Sequence, residues 1–184
     1  METIILQDSW MFRQKYQGEW KPAQVPGCVH TDLMQNTVIE DPFYRDNETE
    51  VQWIGYKKWE YRTKFEVNAE FLQHDAIDLI FEGLDTFCDV YLNERLLLSA
   101  DNMFRTWRLH VKEELKKGKN TLRLVFDSPI ERMLPEVENF AYPAINDAGE
   151  KTSPFTRKAP YHFGWDWGPR LVTCGIWRPV KLVA

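Results

Sequence analysis

The chain lacks the motifs of most cofactor and metal chemistry. It contains no Gly-x-x-x-x-Gly-Lys phosphate loop and no dinucleotide-binding fingerprint. The Asp-x-Asp-x-Asp-Gly calcium loop is also missing. The four histidines are scattered without the spacing of metal ligands: His30, His74, His110 and His162. The sequence therefore predicts no cofactor and no metal site.

Cysteine is scarce as well. The three residues Cys28, Cys88 and Cys174 are odd in number, lie far apart and form no Cys-x-x-Cys pair. This pattern supports neither a disulfide framework nor a zinc site. We expect three buried free thiols.

Long apolar runs and an excess of positive charge are also missing. No stretch of roughly eighteen apolar residues occurs, so no membrane-spanning helix is expected. The short acidic stretch from Met1 to Leu6 does not resemble a secretory leader. The net charge of −5 argues against a nucleic-acid partner, which requires a basic face. The sequence does not assign the protein to a compartment. If a leader was removed, a soluble protein of the periplasm, the extracellular space or the lysosome is among the possible locations.

What is present is an ordinary globular composition, with 43% apolar and 28% charged residues among 184. This length is that of a single domain with a real core, and we assign residues 1–184 to one domain. No internal repeat or low-complexity segment interrupts it.

Alternation of apolar and polar residues dominates the chain. Along residues 59–67, the residues Trp59, Tyr61, Thr63, Phe65 and Val67 share one face of a predicted strand. Similar short segments follow, separated by turn signals such as Asn93-Glu94 and Gly118-Lys119-Asn120. The pattern predicts an all-β sandwich or jelly roll with little helix. The predicted core contains Trp59, Phe65, Leu79, Phe81, Val90, Leu92, Leu109, Leu122 and Leu124.

Four further segments complete the expected architecture. A turn or two of helix is expected from Thr31 or Asp32 to Asn36, and another helix over 129–139. A closing strand is expected over 176–183. Between 140 and 160 neither period is present, and a long irregular loop in a compact domain is usually functional or mobile.

The most informative stretch runs from Tyr161 to Arg170 and places Asp166 between Trp165 and Trp167. Flanking glycines and a proline indicate an irregular segment. On extended backbone, tryptophans at i and i+2 point to opposite sides, so we expect Trp167 in the core and Trp165 and Asp166 facing outward. An indole beside a carboxylate suits a sugar, whose C–H face stacks on the ring while its hydroxyls donate to the acid. In the alternative, both tryptophans are core residues and Asp166 caps a turn.

Three neighbouring residues are further candidates for ligand binding. Arg157 and Lys158 can face an anionic or hydroxylated ligand, or pair on the surface with Asp147 or Glu150. His162 can hydrogen bond to a ligand or serve a structural role.

The block from Phe163 to Pro169, followed by Thr173 to Trp177, resembles the end of the N-terminal domain of β-mannosidases of glycoside hydrolase family two. Further blocks occur in the order that this family shows, and the resemblance covers nearly all of the chain: Val25–His30, Phe81–Thr86, Asp101–Phe104 and Arg157–Lys158. The middle blocks are shared with β-galactosidases and β-glucuronidases. The Trp-Asp-Trp block is specific to β-mannosidases.

The resemblance implies a galactose-binding-domain-like jelly-roll β-sandwich without catalytic residues. A retaining glycosidase needs two carboxyl groups about 5 Å apart, and the sequence offers Asp166 without an obvious mate. In the family, the catalytic glutamates lie in a later (β/α)8 barrel. Trp165 and Asp166 match positions that help form the subsite for the terminal mannose. The implied partners are a β-mannoside and two sister domains, a β-sandwich and the barrel.

Three functions remain open from the sequence. The chain is the accessory domain of an exo-acting β-mannosidase, a free-standing carbohydrate-binding module of jelly-roll type, or a purely structural domain with every tryptophan buried. A fold alone does not distinguish them, because function belongs to sites.

Overall fold

Two antiparallel sheets form the protein. A computed structural model describes residues 2–140, 142–145 and 147–184. Its strands are β1 (Thr3–Ile5), β2 (Met11–Gln14), β3 (Lys21–Pro22), β4 (Trp59–Val67), β5 (Asp78–Phe81), β6 (Phe87–Leu92), β7 (Arg95–Asp101), β8 (Trp107–His110), β9 (Gly118–Phe126) and β10 (Val180–Val183). The four-stranded sheet has the order β1-β10-β5-β8, and the six-stranded sheet has the order β3-β2-β4-β9-β6-β7. The predicted all-β sandwich is confirmed.

The inward faces of the strands build one apolar core, as the alternation predicts. Strand β4 pairs with β9 over their full lengths, from Trp59 opposite Phe126 to Val67 opposite Gly118. Seven of the nine predicted core residues are buried: Trp59, Leu79, Phe81, Val90, Leu92, Leu122 and Leu124. Phe65 and Leu109 are partly buried and pack against this core.

Local sequence signals place the turns and helices. Asn93 and Glu94 have φ values of 49° and 68° in the tight connection between β6 and β7, which is the conformation that this hairpin turn requires. Helix α1 (Val29–Gln35) begins before the predicted Thr31. The strand predicted over 176–183 begins only at Val180. Helix α2 (Asn47–Glu50) was not predicted.

Helix α3 (Pro129–Asn139) has the predicted bounds. Its N-cap Ser128 accepts a hydrogen bond from the backbone N–H of Glu131, and Pro129 occupies the first turn. The same hydroxyl donates to the carbonyl of Gly55 at 2.7 Å. The cap thereby joins α3 to the short 3-10 helix at Gln52–Tyr56.

Residues 147–175 form an irregular layer on the sandwich, called the loop layer below. Within it the structure describes two 3-10 helices, at Ser153–Phe155 and Pro160–Phe163, and no β-strand. Phe163 is buried with Ile130 of α3 and Val172 in a small apolar cluster separate from the sandwich core. This cluster fixes the loop layer to α3.

Candidate functional site

The Trp-Asp-Trp block forms a tight turn whose two tryptophans both face outward. The backbones of Trp165 and Gly168 hydrogen bond to each other in both directions at 3.3 Å. Asp166 and Trp167 occupy the two central positions of the turn. Trp165 is 41% exposed and Trp167 83% exposed, with their rings edge to face and the centroids 5.4 Å apart.

The prediction that Trp167 lies in the core is therefore wrong. It assumed extended backbone, in which residues i and i+2 alternate between faces. The chain instead reverses at Asp166 and Trp167, so that both indoles emerge on the solvent side. The inward anchor of this segment is Phe163, which is fully buried.

Glycine and proline place the turn. Pro160 starts the 3-10 helix that ends at Phe163. Gly164 follows with φ +95°, a conformation that side chains disfavour, and redirects the chain towards solvent. At the far end of the loop layer, Gly175 approaches α1 so closely that a Cβ on it would lie 2.8 Å from the Cα of Cys28.

A largely apolar groove of about 560 Å³ lies between the Trp-Asp-Trp turn and α1. Its apolar walls come from aromatic, methionine, leucine and proline side chains. Its polar lining comes from Cys28, His30, Thr31, His162 and Thr173. Such a surface, apolar with a few polar groups, is typical of a ligand site.

Asp166 is exposed at the tip of the turn and does not line the groove. Within the described ranges its carboxylate makes no hydrogen bond or ion pair with the protein. An exposed carboxylate without internal partners is available to a ligand, and its position does not support the alternative role as a turn cap.

Arg157 and Lys158 lie next to each other but in different environments. Arg157 is exposed, and its backbone carbonyl accepts a hydrogen bond from the N–H of Met103 at 3.0 Å. The Lys158 side chain is 0% exposed; its ammonium forms an ion pair with Asp85 and donates to the Thr173 carbonyl at 2.9 Å.

The expected surface pairing of Arg157 or Lys158 with Asp147 or Glu150 is wrong. Asp147 is buried and accepts hydrogen bonds from the backbone N–H groups of Gly149 and Ser153. Glu150 forms an ion pair with Arg170. Lys158 lies inside the domain because Asp85 is available there as a counter-ion. Its predicted contact with substrate stays a prediction.

His162 lies at the groove, as its position in the sequence suggests. Its Nδ1 is sealed, has no hydrogen-bond partner and is 4.0 Å from the Asp85 carboxylate. Burial, together with the nearby Lys158 ammonium, lowers the pKa of His162 to about 4, although Asp85 opposes this shift. The imidazole is therefore neutral at pH 7.

Sequence reasoning missed three residues that shape this region. His30 is 6% exposed and lines the groove, and burial and Lys158 lower its pKa to about 4. Asp85 holds Lys158. Arg170 ties the loop layer to the rest of the domain, donating to the side chain of Gln52 at 2.8 Å and pairing with Glu150. His30 and Asp85 belong to blocks that support the family resemblance, which was the available signal.

The thiols and the metal-binding potential complete the description. Cys28, Cys88 and Cys174 are free; Cys88 and Cys174 are buried, while Cys28 is partly exposed, contrary to the expectation. Nowhere in the described part of the chain do three or more His, Cys, Asp or Glu side chains meet in a way that would hold a metal ion. The described helices are too short or too polar to cross a bilayer.

Several β-mannosidases are similar to this chain along its whole length. β-Mannosidase B of Thermothelomyces thermophilus is 43% identical over 98% of the chain, and β-mannosidase of Capra hircus is 35% identical over 99%. The chain covers 21% of each of these proteins. It thus spans about a fifth of the length of the curated relatives it matches.

Solved structures agree with this similarity. The β-D-mannosidase of Dictyoglomus thermophilum matches 100% of the chain with a TM-score of 0.94 and 45% identity, the match covering 23% of that protein. An exo-chitosanase of Amycolatopsis orientalis matches with a TM-score of 0.72 at 19% identity, which shows a shared fold alone. A family model described as glycosyl hydrolase 2 galactose-binding domain-like matches residues 10–178. The chain therefore belongs to the glycosyl hydrolase 2 galactose-binding domain-like family.

Proposed function

We propose that this chain is the non-catalytic N-terminal domain of an exo-acting β-mannosidase that hydrolyses terminal β-D-mannose residues. In this proposal the Trp165-Asp166 turn contributes contacts to the sugar. The support is the naming of the similar proteins as β-mannosidases, together with the chain spanning about a fifth of their length. The rest of the parent enzyme supplies a β-sandwich and a (β/α)8 barrel as sister domains.

The observation that carries the proposal is the outward-facing turn beside an apolar groove. Trp165 lines the groove and keeps 41% of its surface exposed. Exposing two indoles costs hydrophobic free energy, about 25 cal/mol for each Å² of apolar surface left in water. A ligand or a sister domain that covers them recovers this free energy.

Asp166 adds the polar half of the recognition. A carboxylate accepts hydrogen bonds from two sugar hydroxyls, and charge-assisted hydrogen bonds are stronger than neutral ones, on the order of 1.5–3 kcal/mol each. Because the remote hydroxyls position the anomeric carbon, these contacts act on the chemical step as well as on binding.

The composition of the groove supports a non-catalytic role. None of its described lining residues carries a carboxylate. A retaining glycosidase requires a nucleophile and an acid/base about 5 Å apart. The proposal assigns both groups to glutamates of the barrel, outside this chain.

A free-standing carbohydrate-binding module is the second candidate. The observation that favours it is the 83% exposure of Trp167, which offers an indole face without help from another domain. A module of this kind binds sugar tightly by itself, whereas an accessory domain holds only part of the subsite.

Two measurements test the proposal. The full-length protein should hydrolyse 4-nitrophenyl β-D-mannoside, with the β-D-glucoside as a control for configuration, and the 184-residue chain should not. Calorimetry of the chain with mannose should give a Kd near the millimolar range or weaker, about 4 kcal/mol. Turnover by the pure chain, or no hydrolysis of the mannoside by the full-length protein, would refute the proposal. A micromolar Kd would favour the module.

A further inference from the structure

His30 is a buried polar side chain without a protein partner at the wall of the groove. It is 6% exposed and lines the groove from α1. Its Nδ1 is sealed and makes no hydrogen bond in the described structure. The other ring nitrogen, Nε2, makes no hydrogen bond with the described residues either but is not sealed from solvent, so it is the nitrogen open to the groove. An unpaired buried polar group is costly, and native proteins rarely keep one without a reason.

His162 presents a second imidazole in the same way. Its Nδ1 is also sealed and unpaired, but it faces the Asp85 carboxylate at 4.0 Å. A carboxylate on that side favours the tautomer that carries its proton on Nδ1. The Nε2 of His162 is then a hydrogen-bond acceptor, which matches the O–H donor of a sugar.

Both rings are held neutral. The pKa of each histidine is lowered to about 4, first by burial and then by the ammonium of Lys158. Lys158 is fixed under the groove by Asp85 and the Thr173 carbonyl. A neutral imidazole has one donor and one acceptor nitrogen, whereas an imidazolium has two donors. Burial, together with the Lys158 ammonium, thereby preserves the acceptor nitrogen that a hydroxyl needs.

We propose that His30 is a further specificity-determining residue, which recognises one hydroxyl of a sugar in the groove through Nε2, beside His162. The inference rests on the proposed function and extends it from the Trp-Asp-Trp turn to the opposite wall on α1. Two imidazoles against an apolar lining favour a polyhydroxylated ligand over an apolar one, since two hydroxyls of such a ligand can pair with the two Nε2 atoms. A hydroxyl both donates and accepts, so it pairs with His30 in either tautomer.

The test is a double-mutant cycle in the full-length protein, in which His30 is substituted in the protein and single hydroxyls are removed from the sugar. Values of kcat/KM are measured for wild type and His30→Leu on 4-nitrophenyl β-mannoside and on its 2-, 3-, 4- and 6-deoxy analogues. His30→Leu should lower kcat/KM about tenfold on the parent sugar, the value of one neutral hydrogen bond. On one deoxy analogue the same substitution should have almost no effect, because the contact is already missing.

Matched variants separate recognition from folding. His30→Gln keeps a polar group and should retain part of the discrimination between the parent sugar and that one analogue. His110→Phe replaces an exposed histidine on β8, outside the groove, and should leave kcat/KM unchanged on all five substrates. If His30→Leu does not fold, His30→Asn, which shortens the polar side chain, takes its place in the cycle.

The outcomes distinguish this inference from the proposed function. Wild type that is inactive on the parent mannoside overturns the proposed function and this inference with it. Active wild type combined with an equal loss on all five substrates, or with no loss, overturns the role of His30 alone. Loss of discrimination at a single hydroxyl supports it.

Discussion

The sandwich and the loop layer of this protein are stabilised in different ways. In the sandwich, apolar side chains at every second position interlock between two sheets, and Leu79, Leu122 and Leu124 are completely buried. In the loop layer, single polar pairs replace the repeated pattern. Buried Lys158 pairs with Asp85, and Arg170 pairs with Glu150.

Because the two regions are stabilised differently, the residues that stabilise the fold are not the ones proposed to contact a ligand. A sandwich core tolerates little change of shape, because its interior is packed as densely as an organic crystal. The loop layer keeps its outward side chains free because Phe163 and a few ion pairs anchor its backbone. It presents Trp165, Asp166 and Trp167 on a fixed support without using them for the fold.

The largest expected effect comes from breaking the buried ion pair. Lys158→Met leaves the Asp85 carboxylate buried without its counter-ion, and we expect a loss of about 3–5 kcal/mol in the free energy of unfolding. Urea denaturation measures this loss. The double variant Lys158→Met/Asp85→Leu removes both charges and should recover most of the stability. A single variant as stable as wild type would show that the pair does not hold the loop layer.

Removing apolar volume from the sandwich should have a similar but slightly smaller effect. Leu124→Ala creates a cavity at a fully buried position of β9 and should cost about 2–5 kcal/mol. The matched control is Leu96→Ala on β7, where the leucine is 50% exposed. Denaturant midpoints of the two variants should differ clearly, and equal midpoints would contradict the assignment of the core.

Acid should weaken the packing of the loop layer on α1 through two histidines, His162 of the loop layer and His30 of α1. The pKa values of His30 and His162 fall from about 6.5 in the unfolded chain to about 4 in the fold. Their stabilising contribution is complete above about pH 6.5 and is lost as the pH falls towards 4, on the order of 2–3 kcal/mol for each histidine. A variant with both histidines replaced by Gln should lack this loss, so its stability relative to wild type should rise between pH 6.5 and 4.

Helix α1 contains a second titratable group, whose effect on stability has the opposite dependence on pH. Asp32 lies buried against Tyr61, whose hydroxyl donates to it at 2.7 Å, and burial raises the pKa of Asp32 from 3.8 to about 6. Its contribution is complete below about pH 3.8 and is lost as the pH rises through 6. Asp32→Asn should remove that slope while leaving the histidine slope in place. A titration of stability in which both variants parallel wild type would contradict both assignments.

The smallest expected effect on stability is that of Trp167→Ala. Because the indole is 83% exposed, its removal should change the free energy of unfolding by less than about 0.5 kcal/mol. The melting temperature of this variant is compared with that of Phe163→Ala, which should be clearly destabilised because Phe163 is the buried anchor of the same segment. A large loss of stability in Trp167→Ala would instead support the position in the core that the sequence spacing predicted.

The sequence predicts the sandwich better than the loop layer for a physical reason. Alternation at Trp59 to Val67 is a repeated local signal, and each residue that obeys it reinforces the same face. The ion pair between Asp85 and Lys158 joins residues 73 positions apart, and nothing local marks either one as buried. His30 is hidden in the same way, because its environment is created by the loop layer folding over α1.

The Trp-Asp-Trp block shows how a correct choice of residues can carry a wrong geometry. Composition and resemblance direct attention to Trp165 and Asp166, and both are exposed. The predicted opposite orientations of the Trp165 and Trp167 indoles would require an extended backbone. The backbone hydrogen bonds between Trp165 and Gly168 close a turn, so successive side chains no longer alternate between two faces. This turn is visible only in the folded chain.

The central claim is that Asp166 serves a ligand and not the fold, and one variant tests it directly. In the full-length protein, Asp166→Ala should lower kcat/KM on 4-nitrophenyl β-mannoside at least about a hundredfold, or about 2.7 kcal/mol of transition-state stabilisation. Its melting temperature should stay within about one degree of wild type, because a change well below 1 kcal/mol is expected at an exposed position. A variant that unfolds while its surviving fraction keeps wild-type kcat/KM would contradict the account.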